Sequence, residues 1–135
     1  MTARETLLAH RALRLTIARK ALDVEYAMTR AQDAGSATLG GMPRQAPVRD
    51  RMGDAVAESV DLAREWATLL RDAEDEWGRI SSMVPDGMPP ALQTLLTMRY
   101  RFALGWGEVA RAMGCSVRHA IRLHGDALGF FSQPP

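Results

Sequence analysis

The sequence predicts an all-α protein, with an N-terminal helical hairpin or coiled coil followed by a C-terminal helix-turn-helix domain. Three observations lead there. No stretch of useful length alternates apolar and polar residues as a half-buried strand does. Apolar residues recur instead at steps of three, four and seven over most of the 135 residues. Glycine and proline gather at two places, where one helical pattern stops and another begins.

In chain order, Leu8, Ala12, Leu15, Leu22 and Tyr26 share one stripe, which predicts a helix that starts near Thr2 and fades by Gly35. Residues 34–53 hold Gly35, Gly40, Gly41, Gly53, Pro43 and Pro47 and read as a flexible connector. From Asp54 the pattern resumes. Val56, Val60, Ala63, Ala67, Leu70 and Trp77 form a seam, and Leu62, Trp66, Leu69, Ala73 and Ile80 form a neighbouring stripe. An apolar face of that width needs more than one neighbour. A homodimer through the N-terminal helices satisfies the need, and so does an intramolecular hairpin docked on the C-terminal domain; pattern alone does not separate them. Asp50 or Asp54 suits the cap of this helix. Pro85, Asp86, Gly87, Pro89 and Pro90 end it and divide the chain into a hairpin region, 1–84, and a domain, 88–131. There Leu92, Leu96, Tyr100 and Ala103 carry a helix closed by Gly105 and Gly107, with Trp106 as a core anchor.

Composition narrows the function. A chain this short, 47% hydrophobic and 24% charged, is too small for a large enzyme fold and too apolar to be disordered. No run approaches 18 apolar residues, so no membrane partner is expected. The single cysteine, Cys115, supplies neither a disulfide nor a metal cluster and points to a reducing cytoplasm. The 17 basic and 16 acidic residues nearly cancel but are segregated. Residues 1–30 carry six basic and three acidic side chains, 54–79 three and eight, and 91–131 five and two. The first helix can therefore pair with the second by charge, leaving the C-terminal arginines for an anionic partner.

The stretch WGEVARAMGCSVRHAIRLHG, residues 106–125, has the parts of a helix-turn-helix. Ala110 is the small residue where two helices touch, and Gly114 falls four later at the turn. Val109, Met113, Cys115, Ala120 and Leu123 take the inward positions, and Ser116 caps the second helix. Val117, Arg118, Ile121 and Arg122 then project outward, with His119 at the margin, and together with Ser116 they are the residues of this helix start expected to contact DNA. Two arginines one turn apart can reach guanine edges or phosphates in the major groove, and an exposed Val or Ile can meet a thymine methyl. Arg99, Arg101 and Arg111 are placed to clamp flanking phosphates of double-stranded DNA.

The span LLTMRYRFALGWGEVARAMGCSVRHAIRLHGDAL, residues 95–128, resembles the C-terminal part of phage-encoded regulators of the RinA and ArpU type and their uncharacterised prophage relatives, itself similar to region 4 of bacterial sigma factors. The shared pieces are Leu96, Arg99 and Tyr100; Trp106 with Glu108, Val109 and Ala110; Gly114 and Ser116; and Arg122, Leu123, His124, Ala127 and Leu128. The N-terminal helix, the break at Leu39–Pro43 and the acidic second helix extend the likeness over nearly the whole chain. The resemblance implies a small transcription regulator of late genes in a phage or prophage, acting in the cytoplasm of the bacterial host. It also implies sigma-like DNA contacts at Val117, Arg118, Ile121 and Arg122.

Two alternatives share the requirement for this domain: a DNA-packaging protein like a small terminase subunit, and a sigma-like adaptor that binds RNA polymerase. An enzyme is not expected. His119 and His124 lie about 140° apart on a helix and do not make a metal pair, so no metal or cofactor is assigned. Asp72, Asp75 and Glu76 read as a solvated helix surface, and His124 as a histidine at a core edge or interface.

Overall fold

A computed structural model of the chain describes residues 2–39 and 48–132. They are all-α, with no strand among the described residues. Helix α1 spans Ala3–Leu39, α2 Val48–Ser82, α3 Pro90–Leu96, α4 Trp106–Met113 and α5 Val117–Phe131. A π-helical turn, Thr97–Arg101, continues α3. Among the described residues no helix is long and apolar enough to cross a membrane.

Both long helices run further than the sequence predicted. α1 continues past Gly35 to Leu39, and α2 begins at Val48, so Asp50, Gly53 and Asp54 lie inside a helix and neither aspartate caps it. A lone glycine costs a helix about 1 kcal/mol, less than is lost by giving up the turns beyond it. The rest of the predicted connector, with Gly40, Gly41, Pro43 and Pro47, lies outside the described residues.

The chain divides into two compact units, Met1–Leu15 with Asp72–Pro135, and Thr16–Arg71. The division crosses α1 and α2 and does not fall at Pro85–Pro90. In the first unit, Leu7 of α1 and Ile80 of α2 join one core with Leu92, Leu95, Leu96, Tyr100, Val109 and Ala120. His10 is fully buried there: its Nδ1 meets Glu76 at 2.7 Å, its Nε2 accepts from Arg14 Nε at 3.0 Å, and its ring lies 5.3 Å from that of Trp77. Because Arg14 can only donate, the ring proton sits on Nδ1 and points at the carboxylate. In the second unit, α1 and α2 bury Ile17, Ala27 and Ser59 and are linked by Lys20–Glu65 at 2.9 Å and Arg30–Glu58 at 3.4 Å. Within each unit the ion pairs connect the two helices in antiparallel order.

The stripe predicted to be the buried side of α1 is on its outer side. Leu8, Ala12, Leu15, Leu22 and Tyr26 are exposed, while Leu7, His10, Ile17 and Ala27 are buried. On α2, Val56 and Val60 of the predicted seam are exposed, and Ala73 and Ile80 of the neighbouring stripe are buried. Periodicity locates an apolar face around a helix but does not say which of two faces has a partner.

Candidate nucleic-acid interface

The candidate interface is built within the first unit, from α3 to α5. Pro90 opens α3, where its missing N–H costs nothing. After the π-helical turn the chain reverses at Ala103, whose φ of 55° is left-handed. Arg11 donates to the Ala103 carbonyl at 3.3 Å, and Arg99 donates to that of Leu104 at 3.0 Å. α4 starts after Gly105, whose N–H donates to the Glu108 carboxylate at 3.0 Å. It ends at Gly114, φ 69°, where the Gly114 N–H donates to Arg111 O and the Cys115 N–H to Ala110 O. That pair of bonds is a Schellman closure, and the left-handed residue it requires explains glycine at this position. Ser116 Oγ then accepts the His119 N–H at 3.0 Å and starts α5.

α5 packs on α4 and α3, with Ala120 and Ala127 fully buried. Val109 and Ala110 are buried beneath them, and Met113, Cys115 and Leu123 pack half-buried against the same core. The outer side of the first two turns of α5 carries Val117 and Ile121, 43% and 46% exposed, with Arg118 and Arg122 exposed beside them. Arg118 makes no ion pair or hydrogen bond among the described residues, and the Arg122 guanidinium donates to Nδ1 of His119. Arg111 is exposed on α4, also without an acidic partner among the described residues. The hydroxyl of Ser116 is engaged as the cap.

Arg99 and Arg101 do not join that face as phosphate clamps; both guanidinium groups are engaged within the protein. Arg99 lies over the Trp106 ring, 4.4 Å from its centroid, besides bonding Leu104. Arg101 pairs with Glu74 at 3.0 Å, and Arg14 holds the other oxygen of that carboxylate at 2.8 Å. The hydrogen bond from Arg14, foremost, holds the Glu74 pKa below its ordinary value; burial opposes it, and the charge of Arg14 and then the hydrogen bond and charge of Arg101 add to the lowering. Residues 97–101, which carry both arginines, follow π-helical spacing.

Sequence reasoning did not find a cluster behind α5. The Tyr100 hydroxyl bonds Nε2 of His124, and the edge of Trp106 meets the His124 ring at 5.1 Å. Burial raises the Tyr100 pKa, and burial followed by the nearby Arg99 and Arg4 charges lowers that of His124. A neutral imidazole accepting a hydrogen bond from the neutral phenol O–H fits both directions. Arg99, Tyr100, Trp106 and His124 come from three separate pieces of the motif in residues 95–128, and their shared role is to brace α5. The signal available beforehand was their recurrence within that motif.

In comparisons with known proteins, no family model, no curated protein and no solved structure matches this chain.

Proposed function

We propose that the first unit binds duplex DNA with α5 in the major groove, and that the protein is a sequence-specific transcription regulator of a phage or prophage. The observation that carries this reading is the outer face of α5: two exposed arginines, neither facing a carboxylate among the described residues, stand beside an exposed Val117 and Ile121 on a helix whose opposite face is buried. Exposed β-branched residues on a short helix contribute nothing in water, whereas in the major groove they can read thymine methyls between arginines that reach guanine or phosphate. The resemblance of residues 95–128 to phage regulators supports the regulatory role. The protein acts as a homodimer through its N-terminal helices, so that two copies of α5 engage half-sites about one helical turn apart.

Selection of bound duplexes from a random library, with the full chain, tests specificity. The reading predicts one enriched sequence. Arg111, Arg118 and Arg122 give three available cations per protomer, so the log–log salt dependence of binding should have a slope of about −3 for each protomer. No enrichment, with no binding at low salt, would overturn the proposal.

A further inference from the structure

The two arginines on the outer side of α5 are held differently. Arg118 makes no hydrogen bond or ion pair among the described residues, whereas the Arg122 guanidinium donates to Nδ1 of His119, nearly one turn back. Asp126 stands one turn further on and forms no ion pair among the described residues, so the Arg122 side chain lies toward the start of α5 and not toward the aspartate. His119 is half-buried, and Ser116 Oγ fixes its backbone by accepting its N–H at 3.0 Å. Because an arginine can only donate, Nδ1 of His119 is the acceptor and the ring proton sits on Nε2.

Given the DNA-binding reading above, on which this rests, we propose that His119 is a positioning residue that aims Arg122 at the major-groove edge of a guanine, while the unheld Arg118 binds phosphate. The bond to His119 uses one of the guanidinium N–H groups and leaves the others for a two-pronged contact. It also restricts the side chain before DNA arrives, so less rotamer freedom is lost on binding. A guanine offers N7 and O6 in fixed directions, and a fork already pointing along them discriminates between bases. A phosphate accepts from many directions and is met by a mobile cation. Arg118 is suited to the second task by its place. It lies in the first turn of α5, which holds no acid and where the helix end is itself partly positive, so a phosphate in front of that turn meets both charges.

The probe is the duplex recovered from the random library, bound by the full chain and changed one base pair at a time. The wild type should have a G·C pair whose replacement costs about tenfold or more in affinity. In Arg122→Ala that cost should vanish. In Arg118→Ala all the duplexes should weaken by a common factor of about ten, with the cost retained. His119→Ala should reduce the cost at the same pair from about tenfold to about twofold. His119→Asn, whose amide oxygen stands near the place of Nδ1, should restore it; the cap survives both changes, because it uses the backbone N–H. Nitrogen NMR of the full chain without DNA, at mildly alkaline pH, should show His119 protonated on Nε2 alone and the Arg122 guanidinium more ordered than that of Arg118. A preference lost with Arg118→Ala but kept with Arg122→Ala, a preference unchanged by His119→Ala, or a His119→Asn variant no better than His119→Ala would overturn the assignment. So would equally mobile guanidinium groups in the free protein, a measurement that still decides if a His119 variant fails to fold. A selected duplex bound with these roles absent overturns the assignment alone, whereas a wild type that binds no duplex overturns the DNA-binding reading as well.

Discussion

At the scale of single residues, His124 carries the clearest prediction. Its pKa is lowered in the folded protein, first by burial and then by Arg99 and Arg4. The unfolded chain therefore binds the proton more readily, and acid favours unfolding. The stabilisation is fully present above the unfolded histidine pKa of about 6.5 and is lost as pH falls below it toward the depressed folded value. The melting temperature of the wild type should drop between pH 7 and pH 5 by more than that of His124→Gln; equal drops would remove His124 as the cause. Tyr100→Phe deletes the hydroxyl that His124 accepts from and should cost about 1 kcal/mol by denaturant unfolding. A histidine at a core edge was legible in the sequence, but its partner was not. Nothing in the spacing of Tyr100 and His124 says that two helices bring phenol and imidazole together. The same gap explains Arg99 and Arg101: sequence supplies a positive charge, and only packing decides whether it faces a carboxylate, an indole ring or solvent.

Local turn chemistry was the most legible part of the elements. Gly114 in the left-handed region and Ser116 as the cap of α5 follow from rules that act over three or four residues. Gly114→Ala should destabilise by about 1 kcal/mol or slightly more, because nothing crowds an added methyl and the cost is that of the φ of 69°. Ser116→Ala should cost about 1 kcal/mol through the lost His119 N–H bond. Denaturant midpoints measure both, and a Gly114→Ala variant as stable as the wild type would contradict the backbone described here. Helix ends and faces were less legible. Gly35 and Gly53 did not stop α1 and α2, and the wrong side of α1 was assigned to the interior because Leu8, Leu15, Leu22 and Tyr26 form a more regular stripe than Leu7, His10, Ile17 and Ala27. The true inner side includes a histidine whose burial depends on Glu76 and Arg14, residues that periodicity cannot pair with it.

For the molecule as a whole, the all-α class was legible from periodicity, since no competing pattern exists in the sequence. The grouping of the helices was not. Pro85–Pro90 interrupts the backbone, yet Leu7, His10 and Ile80 on its N-terminal side are buried in the same unit as α3, α4 and α5. Proline and glycine mark where a chain turns, whereas a core is assembled by contacts far apart in sequence. A fragment of residues 88–131 would lack Leu7 and Ile80 from the core and Arg11 from the Ala103 turn. It should show little cooperative thermal unfolding, while the full chain unfolds in one sharp transition for this unit; an equally sharp transition in the fragment would show that the long helices are dispensable to it. Recognition of DNA by the outer face of α5 is tested most directly by the duplex affinity of the full chain before and after Arg118→Ala with Arg122→Ala. The double variant should lose about 100-fold or more on the selected sequence with helical content unchanged. Equal affinity in the two proteins, or no affinity in either, would contradict it.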